Sequence, residues 1–344
     1  MIADKKVLIT GGAGSVGRAL VSHLLPRDPE VIRIFDNNEP NLAEFKNEID
    51  DDSLRFLAGD IRDKDRLDRA VQDIDIDIVV HAAAMKHVDI AEYNPFEAVK
   101  TNVVGLQSVV DAAIDADVDR LVFTSSDKAV NPANTMGTTK LLGEKLVTAG
   151  NKYSGQSDLQ LSSVRFGNVI NSSQSVIPLF HRQIRDGGPL TLTDERMTRF
   201  FLTYDDIADL LIQAITEMES GEVFVYKMSA IRILDLATAM RETLASSYGH
   251  DPSDIAIEQI GPRLGETMHE EIMTDREAGR SVENDDLYAI LPETTETNGY
   301  LDHPGLDGFD DPETIVQSSA DATKLDRSEI TALLRNNVVP EVRA

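Results

Sequence analysis

The stretch Lys6–Gly17, KVLITGGAGSVG, joins a short apolar run to a glycine-rich turn that leads into a helical pattern. A strand, a glycine turn and a helix in immediate succession are the context in which glycines cradle a dinucleotide. Such glycines permit a tight turn and let the backbone approach the pyrophosphate at the helix N-terminus. Their spacing fits two overlapping patterns, which begin at Gly11 or at Gly12. The residues expected to bind the cofactor here are Gly11, Gly14, Ser15, Val16 and Gly17.

An acidic residue follows the next predicted strand. The run Val31–Phe35 is apolar and ends at Asp36, about 20 residues beyond the glycine turn, where dinucleotide-binding folds place a ribose-binding carboxylate. That carboxylate can accept hydrogen bonds from both ribose hydroxyls, and it would repel the 2′-phosphate of NADP. The sequence therefore predicts NAD, with NADP disfavoured. The alternative is a glycine turn followed by an Asp that merely caps the next element.

Strands and helical patterns continue to alternate along the chain. Predicted strands at Leu54–Ala58 and Asp77–Val80 follow the first two. The second of these leads into Ala82 and Ala83, whose small side chains would let the backbone come close to the cofactor. This alternation predicts an α/β fold, a Rossmann-type doubly wound parallel sheet with a smaller C-terminal α/β substrate-binding region.

Hydroxyl, acidic and basic side chains occur together in Leu121–Lys140, LVFTSSDKAVNPANTMGTTK. The apolar run at its start predicts a buried strand, and at the carboxyl end of that strand lie Ser126, Asp127 and Lys128. Carboxyl ends of strands are where open α/β sheets bind ligands. A helix that opens near Met136 would place Met136 and Lys140 on one face. These groups indicate proton transfer beside a cofactor. The alternative for Asp127 and Lys128 is a surface salt bridge that closes a loop.

The same segment resembles the active site of extended short-chain dehydrogenases/reductases, which pair a Ser or Thr with a Tyr-x-x-x-Lys motif. Here Met136 stands at the Tyr position and Lys140 at the Lys position. The combination of SSDKAVNP and MGTTK resembles the CapD-like polysaccharide biosynthesis group, the UDP-N-acetylglucosamine 4,6-dehydratase family. In that group a Met commonly replaces the Tyr, and the Asp-Lys pair takes over acid/base work. The resemblance covers roughly Lys5–Thr274.

This resemblance implies a lyase that converts a UDP-N-acetylhexosamine, with UDP-N-acetylglucosamine favoured, to its 4-keto-6-deoxy derivative for polysaccharide or glycan biosynthesis. Hydride passes from C4 to bound NAD and returns at C6, a proton leaves C5, and C6 loses water. The reaction needs bases at the C4 hydroxyl and at C5 and an acid at C6. Asp127 and Lys128 would serve as acid and base at C6 and C5. Ser126 would bond the C4 oxygen, and Lys140 would contact the nicotinamide ribose. Met136 exchanges no proton, so the group that replaces the Tyr at C4 stays open.

The resemblance also implies binding roles elsewhere in the chain. Asp60 and Ile61 would lie against the adenine, although Asp60 alternatively caps the helix that follows. The implied substrate-binding residues are Lys86, His87, Asn168, Ser173, Val176, Arg199, Arg263 and Glu266. The motif around Arg263 departs from the family pattern at Leu264 and Thr267. For Lys86, His87 and the Arg263–Glu266 pair, ordinary surface groups are the alternative.

The domain boundaries expected from these motifs divide the chain into three parts. Residues 1–166 would form the NAD-binding domain with the catalytic segment, and residues 167–280 an interleaved nucleotide-sugar-binding region. Residues 281–344 would be an acidic C-terminal extension. Extended reductases often pair through helices of the cofactor domain, so a homo-oligomer is expected by analogy.

The composition is strongly acidic. The 344 residues carry a formal net charge of −27, with acidic residues scattered along the chain and no cysteine. Such a surface is typical of adaptation to high salt, as in halophiles, and the alternative is a surface that binds a basic partner. A basic patch for nucleic acid, a metal-ligand spacing, a signal peptide and a membrane-spanning run are not evident. We therefore expect a cytoplasmic enzyme without a metal.

Two other functions stay open at this point. A UDP-hexose 4-epimerase shares the scaffold, but epimerases generally depend on the Tyr that Met136 replaces. A non-catalytic sensor could bind NAD or a nucleotide sugar on the same fold. A sensor has no evident use for an acid/base pair at the strand end, so the joint presence of Ser126, Asp127, Lys128 and Lys140 argues against it.

Overall fold

The computed structural model describes residues 2–153, 157–172, 175–261, 266–293 and 303–338. The chain forms two compact units. The first comprises Met1–Phe166, Tyr204–Tyr226 and Thr274–Thr314, and the second comprises Gly167–Thr203, Lys227–Met273 and Ile315–Ala344. Both units are therefore built from separate stretches of the chain.

The strands, in chain order, are β1 (Lys6–Thr10), β2 (Val31–Asp36), β3 (Leu54–Ala58), β4 (Ile78–His81), β5 (Arg120–Thr124), β6 (Gln160–Arg165), β7 (Asn168–Val169), β8 (Leu190–Leu192), β9 (Thr198–Leu202), β10 (Val223–Tyr226), β11 (Ala230–Arg232), β12 (Ile257–Gln259), β13 (Ser281–Glu283) and β14 (Leu287–Ile290).

The α-helices are α1 (Ser15–Leu24), α2 (Glu39–Glu48), α3 (Lys64–Gln72), α4 (Val88–Tyr93), α5 (Pro95–Val99), α6 (Leu106–Asp115), α7 (Thr135–Tyr153), α8 (Val176–Arg185), α9 (Tyr204–Glu217), α10 (Ile233–Leu244), α11 (Asp275–Ala278) and α12 (Arg327–Asn337). A π-helical turn, Lys100–Gly105, connects α5 to α6. Short 3₁₀ turns occur at Leu25–Arg27, Asp127–Ala129, Ala245–Tyr248 and Pro252–Asp254.

The first unit is built on a nine-stranded sheet with the order β13-β14-β10-β6-β5-β4-β1-β2-β3. Strands β1 to β6 and β10 run parallel, and β14 and β13 add an antiparallel edge. The strand order reverses between β1 and β4, which is the switch point where doubly wound sheets bind ligands. The predicted Rossmann-type fold is confirmed. Its central strands are apolar because both faces of a parallel sheet are covered, and Val7, Leu8 and Ile9 are fully buried.

The antiparallel edge uses residues from the acidic C-terminal part of the sequence. All of Leu287–Ile290 is buried, because this short run is apolar and pairs with β10. His303 lies nearby in the fold and its Nε2 is 2.6 Å from Glu222 Oε1, with both side chains buried. An acidic composition thus does not prevent this part of the chain from adding to the core.

The second unit is smaller and mixed in structure. It contains a three-stranded sheet, β11-β9-β7, and a two-stranded sheet, β12-β8. Helices α8 and α12 pack on α10. The apolar core of the unit includes Phe180, Leu236 and Met240, and Ile330 and Leu334 of α12 are buried in it. This agrees with the predicted smaller α/β region.

Candidate active site

The glycine loop after β1 adopts the conformation that its sequence predicts. Gly11 has φ +70°, which favours glycine, and a Cβ at this position would lie 2.6 Å from the backbone N of Ala83. A Cβ on Gly17 would lie 2.5 Å from the Cα of Gly12, so helix α1 packs closely on the turn. Ser15 and Val16 form the first turn of α1, after Gly14 at its N-cap. The loop leaves a backbone cradle at a helix N-terminus, which suits a pyrophosphate.

Asp36 is the last residue of β2, and its side chain forms a hydrogen bond with the glycine loop. Its Oδ2 accepts from the backbone N of Ala13 at 3.1 Å, and its Oδ1 accepts from the backbone N of Asn38 at 2.9 Å. Each carboxylate oxygen can accept more than one hydrogen bond, so both retain capacity for ribose hydroxyls. The glycine cradle and this carboxylate together fit a dinucleotide.

Asp60 and Ile61 follow β3. The Asp60 carboxylate accepts from the backbone and guanidinium of Arg62, and these hydrogen bonds, against partial burial, lower the pKa of Asp60. The cap of helix α3 is Asp63, which accepts from the backbone N of Arg66, so the interpretation of Asp60 as the helix cap is wrong. Ile61 is buried, and a Cβ on Gly105 would lie 2.7 Å from its Cδ1.

His81, the last residue of β4, is a buried residue that the sequence interpretation missed. Its Nδ1 is 2.6 Å from Thr10 Oγ1, and its ring stacks on Phe123 at 5.8 Å between centroids. Its Nε2 is buried, and none of the residues described by the structure forms a hydrogen bond with it. Burial and the charge of Lys140 lower the pKa of His81 to about 3, so the imidazole is neutral at physiological pH. The available signal was a polar residue that ends an otherwise apolar strand.

Ser126, Asp127 and Lys128 lie at the carboxyl end of β5, as predicted. Ser126 Oγ donates to Asp127 Oδ1 at 2.7 Å, and the Lys128 backbone N and Nζ lie 2.8 and 3.0 Å from the same oxygen. The Asp127 side chain is fully buried, and its Oδ2 has no hydrogen-bond partner among the residues that the structure describes. The interpretation as a surface salt bridge is therefore wrong. A buried carboxylate with one engaged and one unengaged oxygen can take up or release a proton there.

Lys140 lies on α7 and is buried. Its Nζ donates to the carbonyl oxygen of Thr124 at 2.7 Å and lies 4.8 Å from the centre of the Phe123 ring. Burial lowers the pKa of Lys140 to about 8, and the charge of Glu144 opposes this effect. Met136, one turn earlier, is buried against Ala91 and Ala98, so an apolar side chain occupies the Tyr position.

Lys86 and His87 lie between β4 and α4, in a loop held by Asn102. The Asn102 side chain accepts from the backbone N of Met85 at 2.7 Å and donates to its carbonyl oxygen at 3.0 Å. It also donates to Thr139 Oγ1, next to Lys140, at 2.9 Å. Burial lowers the pKa of Lys86, while burial and the neighbouring Lys86 charge lower the pKa of His87. Asn102 sits in the π-helical turn, a local irregularity that is frequent at functional sites.

The second unit carries the other described members of the predicted substrate set, apart from Lys86 and His87 of the first unit. Asn168 Nδ2 donates to the carbonyl oxygen of Phe200 at 3.3 Å, and Val176 opens α8. Glu266 Oε2 accepts from Thr193 Oγ1 at 3.0 Å. The predicted Ser173 and Arg263 lie outside the described residues.

Arg199, the other member of that set, is buried and engaged inside the unit. Its guanidinium donates to the carbonyl oxygens of Thr198, Met268 and Thr267, and its Nε lies 3.2 Å from Glu270 Oε1. These contacts hold the 267–270 segment. They give Arg199 an organising role in the structure, and its expected contact with a nucleotide stays a prediction.

Neither a metal-binding cluster nor a membrane-spanning helix occurs in the described ranges. Among residues 2–153, 157–172, 175–261, 266–293 and 303–338, no group of three or more His, Asp or Glu side chains is arranged to hold a metal ion. Within the same part of the chain, no helix combines the length and the apolar character needed to cross a membrane.

Comparison with known proteins places this site in a family. The family described as polysaccharide biosynthesis protein matches residues 7–292. The chain is 43% identical over 332 residues, 96% of each chain, to an uncharacterized membrane protein of Methanocaldococcus jannaschii. It is 38% identical over 294 residues to the inverting UDP-N-acetylglucosamine 4,6-dehydratase of Campylobacter jejuni, covering 85% of this chain and 84% of that one. It is 36% identical over 302 residues to the UDP-glucose 4-epimerase of Rickettsia prowazekii, covering 87% and 86%.

Solved structures agree with this relationship. Pen from Bacillus thuringiensis superposes with a TM-score of 0.86 at 39% identity, covering 98% of this chain and 99% of that one. The dTDP-glucose 4,6-dehydratase DesIV of Streptomyces venezuelae, solved with NAD and TYD bound, has a TM-score of 0.65 at 27% identity, covering 76% and 86%. The chain belongs to the polysaccharide biosynthesis protein family and is an extended short-chain dehydrogenase/reductase of the nucleotide-sugar dehydratase and epimerase group.

Proposed function

We propose that this protein is an NAD-dependent nucleotide-sugar 4,6-dehydratase, a lyase that converts UDP-N-acetylglucosamine to its 4-keto-6-deoxy derivative. The observation that carries the proposal is the state of Asp127. Its carboxylate is buried, Lys128 engages one oxygen, and within the described part of the chain the other oxygen has no hydrogen-bond partner. An acid and a base side by side are what elimination across C5 and C6 requires. The 38% identity to a UDP-N-acetylglucosamine 4,6-dehydratase supports this substrate.

The choice of NAD follows from Asp36. A carboxylate at the end of β2, beside the glycine cradle, suits the free ribose hydroxyls of NAD and repels the phosphate of NADP. When bound, the nicotinamide supplies an acceptor for the C4 hydride and returns that hydride to C6. The NAD bound to the related DesIV structure supports a nicotinamide dinucleotide at this site.

Within this reaction the chain's own residues divide the proton transfers. Ser126 would hold the C4 oxygen through its hydroxyl. Lys128 would take the proton from C5, and Asp127 would deliver a proton to the hydroxyl that leaves C6 as water. The buried ammonium of Lys140 would hold the nicotinamide ribose and stabilise negative charge that develops beside it. Met136 is buried and has no transferable proton, so the C4 proton leaves through another group.

A UDP-hexose 4-epimerase is the second candidate, favoured by the 36% identity to a UDP-glucose 4-epimerase. Epimerisation needs proton transfer only at the C4 hydroxyl. It does not require an acid and a base at C6 and C5, the roles proposed for Asp127 and Lys128. The two activities give products of different mass, so one assay separates them.

The test uses purified protein in high salt with UDP-N-acetylglucosamine and NAD, followed by mass spectrometry and proton NMR. The dehydratase predicts a product lighter by one water with a new C6 methyl doublet. An isomer of unchanged mass would identify the epimerase. Nucleotide binding without conversion of this or other UDP-hexoses would leave the sensor as the function.

We also propose that the protein forms a homo-oligomer through α4 and α5. Tyr93 and Phe96 are 88% and 80% exposed, and Ile90 and Val99 beside them are also exposed. Exposed clusters of large apolar side chains mark interaction sites. Light scattering should show a smaller particle for Phe96→Glu than for the unchanged protein, whereas Ile260→Glu, which replaces an exposed apolar residue of the second unit, should not change the size. The same size for all three proteins would contradict this interface.

Location and salt adaptation stay predictions. A cytoplasmic enzyme should partition with the soluble fraction when cells are lysed in high salt. Because one relative is named a membrane protein, recovery with washed membranes is the outcome that would contradict this location. A surface adapted to high salt should lose stability when salt is removed, which thermal unfolding at two salt concentrations would measure.

A further inference from the structure

Three charged side chains of the first unit form a buried network next to the predicted catalytic residues. Arg165, the last residue of β6, donates from Nε and Nη2 to the two carboxylate oxygens of Glu144 at 3.0 and 2.7 Å. Its Nη2 and Nη1 also donate to Glu277 of α11 at 3.0 and 3.3 Å. The Arg165 and Glu144 side chains are 0% and 4% exposed, and that of Glu277 is 12% exposed. Two carboxylates therefore share one buried guanidinium.

Arg165 and the two glutamates stabilise each other's charged forms. Burial alone would raise the pKa of Glu277, but the charge and hydrogen bonds of Arg165 outweigh it and lower the pKa to about 2. Burial likewise acts to lower the pKa of Arg165, and the two glutamates reverse that effect and raise it. Removing Arg165 would leave two buried carboxylates without a compensating charge, whereas removing one glutamate leaves a neutral pair. The network is thus a fixed electrostatic element of the fold.

This network contacts the catalytic segment directly through Glu144, and the backbone on either side of Arg165 contacts it as well. Ser125, directly before Ser126, donates from Oγ to Glu144 Oε1 at 2.6 Å. The residues on either side of Arg165 hold the same segment through the backbone. Val164 O accepts from Ser125 N at 2.6 Å, and Phe166 O accepts from Asp127 N at 3.0 Å. A shift of Arg165 would therefore move the segment that carries the predicted acid and base.

Glu144 also lies one helical turn beyond Lys140 on α7, on the same face. Two titratable groups interact electrostatically with Lys140. The charge of Glu144, on the same helix, raises the pKa of Lys140, and the charge of Lys140 lowers the pKa of His81 at the end of β4. His81 is neutral, so among these two Glu144 supplies the negative charge. The Glu144 carboxylate thus connects the strand end and the buried lysine.

We propose that Glu144 and Glu277 are positioning residues, which act through Arg165 and Ser125 to hold Asp127 and Lys128 in place and to set the electric field at Lys140. Neither glutamate touches the reacting atoms. This proposal rests on the proposed function, since it names the residues that organise that same site. It adds Glu277, which is more than a hundred residues away in sequence from the segment it supports.

The first experiment compares Glu277→Gln with Asp275→Asn. Asp275 is an exposed acid on the same short helix, so the control removes the same charge without touching Arg165. Glu277→Gln keeps the Arg165–Glu144 pair and is the variant expected to fold. We expect its kcat for UDP-N-acetylglucosamine to fall roughly 10- to 100-fold, because small misplacements of catalytic groups have effects of this size. KM and bound NAD should not change, and the control should match the unchanged protein. A lower Tm with unchanged kcat would overturn the positioning role.

The second experiment does not depend on turnover. In protein labelled with ¹⁵N-lysine, the Lys140 resonance is the one missing from Lys140→Met, and its titration gives the pKa of Lys140 directly. Glu144→Gln should lower that pKa, because the charge that opposes the effect of burial is gone. An identical titration in both proteins would overturn the role of Glu144. If the unchanged protein converts no UDP-sugar, the proposed function fails, while this titration still decides whether Glu144 acts on Lys140.

Discussion

Nζ of Lys128 lies 3.0 Å from Oδ1 of Asp127, while Oδ2 of the same carboxylate is buried and accepts no hydrogen bond from any described residue. Burying a carboxylate oxygen without a partner is unfavourable in a purely structural salt bridge. Since the Asp127 side chain has no exposed surface, its proposed role requires that neighbouring groups move to admit the substrate to this oxygen. The dehydratase requires this pair for turnover, whereas the epimerase and the sensor do not, so variants of the pair distinguish these functions.

Replacing either member of the pair should stop turnover. We expect Asp127→Asn and Lys128→Met each to lower kcat by about 10²- to 10⁴-fold, the usual contribution of a positioned acid or base. Bound NAD, measured after denaturation, should stay at the level of the unchanged protein. Asp50→Asn, at an exposed acid, is the matched control. Full turnover in Lys128→Met would contradict the assignment of the C5 base.

Met136 should be replaceable by another apolar residue. Its side chain is buried against Ala91 and Ala98, and Leu has nearly the same volume. Met136→Leu should cost less than about 1.5 kcal/mol of unfolding free energy. Because Met exchanges no proton, kcat should stay within a few-fold of the unchanged protein. A loss comparable to that of Lys128→Met would show that the thioether takes part in the reaction, which contradicts the proposed mechanism.

Asp36 should determine the choice between NAD and NADP. Asp36→Asn keeps an oxygen that can accept from Ala13 N and removes the charge that repels a 2′-phosphate. We expect the ratio of the Kd values for NADP and NAD to fall by at least about tenfold, since one lost charge contact near a phosphate is worth about 1.4 kcal/mol or more. Calorimetry on cofactor-free protein would measure both constants. An unchanged ratio would place the ribose away from Asp36.

His81 should make stability depend on pH. Its pKa is lowered from 6.5 to about 3 in the folded protein. Between these values the unfolded chain binds a proton that the folded protein does not, so the free energy of unfolding falls as pH falls. The contribution of one such group is at most about 1.4 kcal/mol per pH unit. His81→Gln should therefore show a smaller loss of stability between pH 6.5 and pH 5 by chemical denaturation in constant salt. Equal slopes for the two proteins would contradict a buried neutral His81.

The fold was predictable because its signals are local. The glycine turn, the apolar runs that end in polar residues and the alternation of strands with helices all lie within short stretches of sequence. The positions of Asp36, Asp127 and Lys140 at strand ends or on one helix face follow from the same periodicities. Met136, at a position that extended reductases normally fill with Tyr, also lies within a short motif, and this motif indicated the dehydratase group.

The buried network was not predictable, because its contacts join distant parts of the chain. Glu144, Arg165 and Glu277 come from a helix, a strand end and a short helix far apart in sequence, and single charged residues usually indicate an exposed surface. Arg199 illustrates the opposite case. The resemblance implied a contact between Arg199 and the nucleotide, but it gave no sign that nearby backbone carbonyl oxygens and Glu270 engage the guanidinium.

The central claim is the transfer of hydride from C4 to C6 with loss of water. The most direct measurement uses UDP-N-acetylglucosamine that carries deuterium at C4, with proton NMR and mass analysis of the product. The proposed dehydratase predicts a 4-keto product that has lost one water and carries the deuterium in its C6 methyl group. Deuterium that is still bound to C4, in a product of unchanged mass, would contradict the claim and identify an epimerase.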